Sequence, residues 1–357
     1  MNSNIDALFE QGGAWLAPDS TADIAVSSRI RLARNIEGEL FPGKATDSDK
    51  ERMWTELSLT LQSLPEFKNG CLFDMAELSR VEKEILFERH LVSRELVSKS
   101  KGSGVITRYD ESLSAMINEE DHIRFQAMSP GMTLVDLWKR IDSVDTSAET
   151  LLRYAYSEEL GYLTACPTNV GTGLRASVML HLPGLMLMNE IGPVLEGVSK
   201  IGLAVRGLWG EGTEMAGNML QISNQITIGD SELNIIKRLE QVVLEVIEHE
   251  RNARERVLEK KANVSKDFVN RSIGILTHAY LLNSREVLDM LSAVRFGIEQ
   301  NMVSEWEKPL INELFLMTQP GHLQKIYGKN LGAKRRDEYR AKMIQNKLKS
   351  GRKEKPQ

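Results

Sequence analysis

The first two thirds of the chain alternate between apolar and polar residues in the manner of β-strands. In IAVSSRIRL (24–32), Ile24, Val26, Ile30 and Leu32 fall near one face of an extended chain. Similar runs follow, and short polar turns join them, which is typical of an antiparallel sheet. The predicted strands are 24–32, 114–118, 123–129, 160–166, 174–184, 201–209 and 219–229. Predicted helices between them are 48–63, 76–90 and 189–200.

The pattern becomes helical after residue 229. Apolar residues then recur every three or four positions to about Lys260, and Asp230 or Ser231 can cap this helix. Asn283 with Glu286 three residues later resembles a capping box. Further predicted helices are 265–282, 284–300 and 307–318. The sequence therefore predicts an α+β protein whose C-terminal part is helical.

Composition excludes several classes of protein. The 357 residues are 41% hydrophobic and 27% charged with a net charge of −5, as in soluble globular proteins that do not bind nucleic acid directly. The pattern predicts no signal peptide and no membrane span. Two cysteines make a disulfide framework improbable and are typical of reduced thiols in the cytoplasm.

Familiar nucleotide and metal motifs are absent from the sequence. There is no GxxxxGK[ST], no HRD or DFG, and no His/Cys cluster with zinc spacing, so no protein-bound metal is predicted. GTGLRA (171–176) matches a dinucleotide fingerprint, but the residues after it alternate like a strand instead of opening a helix.

Several arginines lie next to predicted turns. Arg29 and Arg31 share one strand face, while Arg124, Arg175 and Arg206 each follow or precede a polar or Gly-rich loop. Any one of them is more typical of a solvated surface. If they converge, however, their guanidinium groups could neutralise a triphosphate without a Walker lysine.

Carboxylates and a cysteine form a second candidate set. Glu119, Glu120 and Asp121 are consecutive, and Glu211 lies between two glycines. Such a run usually means an exposed turn, but it also suits a cationic acceptor that must lose a proton. Cys166 ends a predicted strand, and the threonine hydroxyl two residues later could stabilise its thiolate. A buried inert cysteine is the more ordinary interpretation.

Four strings together resemble the phosphagen (guanidino) kinase family, and most closely its bacterial protein-arginine kinases. They are SSRIRLARN (27–35), NEEDHIR (118–124), CPTNVGTGLRAS (166–177) and RGLWGEGTEMA (206–216). Their order and spacing agree with the family over about residues 20–255. The resemblance implies a glutamine-synthetase-like catalytic domain, with an antiparallel sheet flanked by helices, followed by a helical C-terminal domain.

The resemblance also implies roles for particular residues. Glu120 would be the leading base, with Glu119 and Asp121 beside it. Glu211 would be the second carboxylate on the guanidinium, and Cys166 a thiolate that orients it. ATP would be the donor, with Mg²⁺ held mainly by phosphate oxygens and water. The implied nucleotide contacts are Ser27, Ser28, Arg29, Ile30, Arg31, His90, Arg124, Arg175, Ala176, Ser177, Val178, Met179, Arg206, Gly207, Leu208, Trp209, Gly210 and Glu211.

Two departures from the small-molecule kinases indicate a protein acceptor. Only 26 residues precede Ser27, so the helical domain that closes over small guanidines is not expected. RDEYRA (336–341) matches an RDxxRA pattern that the resemblance associates with a regulatory phosphoarginine pocket, although by itself it reads as a charged helical face. The residues of this pocket would be Arg336, Asp337, Glu338, Tyr339, Arg340 and Ala341.

The predicted organisation is an N-terminal segment (1–20), a catalytic domain (21–258) and a helical domain with a basic tail (259–357). By resemblance, the protein would be a cytoplasmic homodimer that marks proteins in stress response and degradation. Its partners would be protein substrates, an activator protein, Clp-type protease machinery and a stress-gene repressor. Two alternatives remain open: a kinase for a small guanidine such as free arginine, and a kinase-like binding protein without catalysis.

Overall fold

A computed structural model describes residues 4–9, 13–16, 23–208 and 215–353. Eight strands form one antiparallel sheet in the order β2-β3-β4-β5-β1-β8-β10-β9, and β6 pairs with β7 apart from it. The strands are β1 (Ala25–Arg34), β2 (Cys71–Asp74), β3 (Gly104–Thr107), β4 (Leu113–Ile117), β5 (Ile123–Pro130), β6 (Tyr156–Ser157), β7 (Gly161–Tyr162), β8 (Leu174–His181), β9 (Leu203–Gly207) and β10 (Met219–Asn224).

Helices flank this sheet and make up the C-terminal part of the chain. They are α1 (Asn4–Phe9), α2 (Asp47–Ser63), α3 (Arg80–Glu88), α4 (Arg94–Ser98), α5 (Leu134–Glu149), α6 (Pro183–Met188), α7 (Ile191–Lys200), α8 (Glu232–Lys260), α9 (Ala262–His278), α10 (Ser284–Glu299), α11 (Lys308–Met317), α12 (Pro320–Tyr327) and α13 (Ala333–Ser350). Short 3-10 turns lie at Ala14–Leu16, Pro65–Phe67 and Pro167–Asn169.

The two faces of the sheet carry different residues. On β1, Ile30 and Leu32 are fully buried in a core that includes residues of α2, α5 and α8. Arg29 and Arg31 alternate with them and therefore lie on the other face. One face of the central strand thus packs in the hydrophobic core, and the opposite face carries the arginine side chains.

The C-terminal helices form a second core. It includes Val287 and Leu291 of α10 and Phe315 of α11, together with residues of the 3-10 turn Ala14–Leu16. Asn283 caps α10 by accepting a hydrogen bond from the Glu286 backbone N–H at 2.9 Å. The second core therefore joins the start of the chain to its end.

Several predicted boundaries were wrong for a physical reason. The predicted strand 160–166 is reduced to β7, because its later residues hydrogen-bond to side chains instead of a neighbouring strand. The strand predicted over 174–184 ends at His181, because Pro183 begins α6. The strand predicted over 219–229 ends at Asn224.

The predicted fold class is confirmed, and so is the predicted cap of α8: the Ser231 side chain accepts from the Asn234 backbone N–H. The predicted boundary at 258 falls in the last turn of α8, and the division into domains stays a prediction. In the part of the chain that the structure describes, no helix has the length and apolar character needed to cross a membrane.

Candidate active site

Five arginines converge on the open face of the sheet. In the strand register, Arg31 of β1 is directly opposite Arg175 of β8, and Arg206 of β9 is opposite Gln221 of β10. Arg124 of β5 is opposite Ala33 of β1, which lies two residues after Arg31 and therefore on the same face of the sheet. All five side chains line one recess, namely Arg29, Arg31, Arg124, Arg175 and Arg206.

This cluster is electrostatically unfavourable in the protein alone. Burial and the neighbouring Arg175, Arg206 and Arg124 lower the pKa of Arg29 to about 10. Burial, Arg29 and the other guanidinium groups also hold the pKa of Arg31 well below its ordinary value. Like charges placed opposite each other in a sheet destabilise it, so the arrangement favours a polyanionic ligand.

The carboxylates lie at the hairpin between β4 and β5. Glu119 is buried and ion-pairs with Arg124 at 2.6 Å, and it also accepts a hydrogen bond from Ser93. Glu120 contacts Arg124 at 2.9 Å, but its side chain is 47% exposed. Burial disfavours the charged form of Arg124, yet Glu119, Asp121 and Glu120 outweigh it and raise its pKa. Both glutamates also line the recess.

Asp121 has a different position from its two neighbours. It is fully buried and accepts hydrogen bonds from Asn35 Nδ2 and from the Ala165 backbone N–H, both at 2.7 Å. Asn35 in turn accepts from the His122 backbone N–H at 2.9 Å. Asp121 therefore ties the carboxylate hairpin to the loop that carries Cys166.

Cys166 opens the 3-10 turn Pro167–Asn169 on the same recess. Its Sγ lies 3.0 Å from Thr168 Oγ1, the contact expected from the sequence. The turn that follows depends on Gly171, which has φ 108° and lies so close to Thr227 O that a Cβ would be 2.3 Å from it. The Gly-rich stretch thus shapes a close-packed loop before a strand, as predicted, and not a dinucleotide-binding turn.

The structure brings most of the predicted site residues together. Those that line the recess or its extension are Ser27, Arg29, Arg31, His90, Glu119, Glu120, Arg124, Cys166, Arg175, Ser177, Met179, Arg206 and Leu208. Others lie elsewhere: Ile30, Ala176 and Val178 belong to the core on the opposite face, and Ser28 bonds to Gly131 O at 2.8 Å. Gly207 ends β9 without lining it. Trp209, Gly210 and Glu211 lie outside the described residues.

Some residues at the recess were not predicted. Gln221 of β10 accepts a hydrogen bond from Arg29 Nη2 at 3.2 Å, and strand alternation could have placed it on this face. Ser93 and Glu95 come from the start of α4. Trp15 lines a side extension of the recess, and no local pattern marked it, because distant helices hold it there.

The segment 336–341 lies on α13. Arg340 is buried and donates to Thr318 O, Leu282 O, Ser284 Oγ and Asp337 Oδ1 at 2.6–2.9 Å. Burial lowers the pKa of Arg340 despite Asp337. Arg336 donates to Leu331 O at 2.9 Å, and Glu338 accepts from Lys342. The Tyr339 ring packs at a tilt against Tyr327, and Ala341 is buried. Arg340 thus ties three C-terminal segments together.

Donors for a protein-bound metal are few. Among the described residues no group of three His, Cys, Asp or Glu side chains is placed to hold a metal ion. Glu119 and Glu120 at the recess already engage Arg124. A divalent ion here would depend on ligands supplied by a bound molecule.

Two family models match the chain. Residues 52–253 match the C-terminal catalytic domain of the ATP:guanido phosphotransferases, and residues 262–357 match the protein-arginine kinase McsB C-terminal domain. The curated relatives include a protein-arginine kinase of Halothermothrix orenii, 44% identical over 94% of this chain and 96% of the relative. Another, of Moorella thermoacetica, is 43% identical over 95% and 98%.

Solved structures share the fold. Lombricine kinase matches with a TM-score of 0.57 and 24% identity over 72% of this chain and 71% of that one. The duplicated taurocyamine kinase of Schistosoma mansoni, with bound transition state analog components, matches with a TM-score of 0.55 and 25% identity. This chain spans 33% of that duplicated chain, and the match covers 66% of this one. The chain belongs to the ATP:guanido phosphotransferase family and, within it, to the protein-arginine kinases.

Proposed function

We propose that this protein is an ATP-dependent protein-arginine kinase, which transfers the γ-phosphoryl group of ATP to guanidinium groups of arginine side chains. One observation carries the proposal: the cluster of Arg29, Arg31, Arg124, Arg175 and Arg206 lines the same recess as Glu119, Glu120 and Cys166. Membership of the family supports both the use of ATP and the guanidinium acceptor.

The arginines act on the nucleotide. Arg29, Arg31, Arg124, Arg175 and Arg206 bind the phosphate oxygens and stabilise the charge that develops during transfer. Mg²⁺ would be held mainly by phosphate oxygens and water, and it would supply further neutralisation of the phosphate charge. Positioning and electrostatic stabilisation thus provide most of the catalysis.

The carboxylates and the thiol act on the acceptor. A guanidinium nitrogen attacks the γ-phosphorus while the bond from that phosphorus to the bridging oxygen breaks, and ADP leaves. The attacking nitrogen gives its proton to Glu120, which is the partly exposed carboxylate of the recess. Glu119 and Cys166 hold the remaining guanidinium nitrogens, with Glu211 as the second acceptor carboxylate, and Asp121 positions the Cys166 loop.

Replacement of Arg31 separates binding from stability. We expect Arg31→Met to weaken ADP binding roughly 10- to 100-fold, since hydrogen bonds to a charged group are lost. The thermal midpoint should rise, because a buried cation among like charges is removed. Calorimetric titration and thermal unfolding measure the two effects. Arg94→Met, at the rim of the recess where Arg94 pairs with Glu84, is the control and should change neither. Unchanged affinity in Arg31→Met would contradict the proposed role.

Replacement of Cys166 tests the acceptor side. Cys166→Ser should retain ADP affinity and lower turnover roughly 10- to 100-fold, because the acceptor is less well oriented. Cys71→Ala is the matched control: Cys71 is buried on β2, away from the recess, and its loss should leave turnover unchanged. If nucleotide binding collapsed in Cys166→Ser, the thiol would belong to the nucleotide side instead.

A protein acceptor is supported by the curated relatives, which are named protein-arginine kinases and match over nearly their whole length. It is also supported by the exposure of Glu120, which leaves the base within reach of an arginine on a large partner. Free arginine as acceptor is the competing candidate, favoured by the fold shared with lombricine kinase.

The remaining expectations concern regulation and partners. The family resemblance supports a role in cytoplasmic stress response, with an activator protein, Clp-type protease machinery and a stress-gene repressor as partners, and a homodimer formed by the C-terminal helices. By the same resemblance, a regulatory phosphoarginine site would use Arg336, Asp337 and Arg340, whose guanidinium donates to four acceptors within the protein.

The direct test is to incubate the purified protein with ATP and an arginine-rich protein, then locate the modification by mass spectrometry under non-acidic conditions. We expect an acid-labile phosphoryl group on arginine. Modification confined to serine or threonine, or none at all, would refute the proposed function. Regulation of a partner that is equally strong in a catalytically inactive variant would favour a binding protein.

A further inference from the structure

The loop that carries Cys166 is fixed at its start by side chains. Asp121 accepts a hydrogen bond from the Ala165 backbone N–H at 2.7 Å, and Thr164 Oγ1 donates to Cys166 O at 2.8 Å. After Cys166, the 3-10 turn Pro167–Asn169 runs along the wall of the recess. The position of the thiol therefore also depends on what holds the far side of this turn.

Thr227 holds the far side of the turn. It is 5% exposed, and its Oγ1 donates to Val170 O at 2.7 Å and to Thr168 O at 3.0 Å. Its backbone carbonyl accepts from the Thr172 backbone N–H at 2.9 Å. The same carbonyl packs against Gly171, where a residue with a side chain would not fit without a shift. One buried residue thus binds the loop at three successive points.

Thr227 is itself fixed to the sheet. It follows β10 by three residues, and Asn224, which ends that strand, donates to Leu174 O at 3.0 Å and to Ile226 O at 3.2 Å. Asn224 Oδ1 also accepts from the Ala176 backbone N–H at 2.8 Å. Leu174 and Ala176 belong to β8. The segment after β10 therefore transmits the position of the sheet to the loop.

Thr168 connects this anchor to the thiol. Its carbonyl oxygen accepts from Thr227, while its Oγ1 lies 3.0 Å from Cys166 Sγ. Because Pro167–Asn169 is a single turn, a displacement of the Thr168 backbone also displaces the hydroxyl group that contacts the thiol. Thr227 lies behind the loop, outside the lining of the recess, so it acts on the recess through the loop.

We propose that Thr227 is a positioning residue for phosphoryl transfer, whose hydroxyl group holds the turn after Cys166 so that the thiol meets the acceptor guanidinium. The nucleotide side should not depend on it, since the five arginines of the recess lie on β1, β5, β8 and β9. This inference rests on the proposed function. It adds to the acceptor side a residue that does not line the recess.

Thr227→Val removes the hydroxyl group and keeps the shape of the side chain. Turnover with an arginine-rich protein should fall roughly tenfold, since a misplacement of about 1 Å is enough for such a loss. ADP affinity, measured by calorimetric titration, should be unchanged. Thr227→Ser keeps the hydroxyl group and should retain turnover within about twofold of the wild type, a small change in the barrier.

Thr107→Val is the matched control. Thr107 is fully buried on β3, and its Oγ1 likewise donates to two carbonyl oxygens, Arg108 O at 3.1 Å and Leu113 O at 3.2 Å. Both valine variants lose a buried hydroxyl donor, so both should lower the thermal midpoint by a similar small amount. Thr107→Val should leave turnover unchanged. An equal loss of turnover in the two variants would overturn the inference.

Combination with Cys166→Ser shows whether Thr227 acts through the thiol. Effects that pass through one group do not multiply, so Thr227→Val should lower the turnover of Cys166→Ser by less than about twofold. A further loss of about tenfold would mean independent effects and would overturn the inference. So would wild-type turnover in Thr227→Val, or an equal loss in Thr227→Ser. Phosphoarginine formation by the wild type tests the kinase activity separately, so the two failures can be told apart.

Discussion

Glu120→Gln should lower the rate of phosphoryl transfer to arginine by about 10²- to 10⁴-fold, the usual contribution of a positioned general base. Glutamine has nearly the same shape, but it cannot take a proton from the attacking nitrogen. ADP affinity should change little, because Arg124 keeps its 2.6 Å ion pair with Glu119. Steady-state rates of phosphoarginine formation, measured with saturating ATP, give the comparison.

Glu95→Gln is the matched control for this result. Glu95 lines the same recess from α4, where it ion-pairs with Lys99, and it contacts none of the five arginines through any ion pair among the described residues. Its replacement should leave the rate within about twofold of the wild type, the size of a small surface effect on the barrier. Similar losses in both variants would mean that the recess responds to its net charge and that Glu120 has no special role as base.

Arg34→Leu should lower the free energy of unfolding by about 3–5 kcal/mol, because it leaves the buried Asp145 carboxylate without its partner. Arg34 lies on the core side of β1 and donates to Asp145 through Nε at 3.1 Å and Nη2 at 2.5 Å. It also donates to Thr172 O and stacks on Tyr162, with 3.6 Å to the ring centroid. Urea denaturation measures the loss.

The effect of Arg34 on stability can be separated from any effect on the site. Arg52→Leu removes an exposed pair with Glu39 and should cost at most about 1 kcal/mol. Arg34→Leu combined with Asp145→Leu should recover part of the loss, since no unpaired charge stays buried. Where the Arg34→Leu variant is folded, its ADP affinity should equal that of the wild type. A loss of affinity without a loss of stability would place Arg34 in the nucleotide site.

The arrangement of the candidate site follows in large part from strand alternation. The spacing of Arg29 and Arg31 predicts that they share a face, and the register places Arg175 opposite Arg31 on that face. The same periodicity puts Arg34 on the other face, where it forms a buried ion pair with Asp145. Capping patterns at Ser231 and Asn283 were equally readable, because they depend on residues three positions apart.

Features that depend on hydrogen bonds between distant parts of the chain could not be predicted from the local sequence. The segment 160–166 is apolar enough for a strand, but Asn35 and Asp121 bind its backbone at Leu163 and Ala165 and hold it as a loop. Short strands such as β2 and β3 contain only four residues each, too few for a period-2 pattern to stand out.

Trp15 is the strongest example of a residue hidden from sequence reasoning. It lies in a turn of three residues with no flanking pattern, and its position depends on Glu111 and Asn312, which are 97 and 296 residues away from the atoms they bind. Its neighbours in sequence therefore say nothing about its place beside His90.

The central claim is that this recess phosphorylates arginine within proteins. The most direct measurement supplies ATP labelled at the γ-phosphate to the enzyme with equal arginine concentrations as free amino acid and as an unfolded arginine-rich protein. We expect acid-labile label on the protein's arginine side chains, with little on free arginine, and label that appears about 10²- to 10⁴-fold more slowly with Glu120→Gln. Label on free arginine alone, or acid-stable label on the protein, would contradict the account.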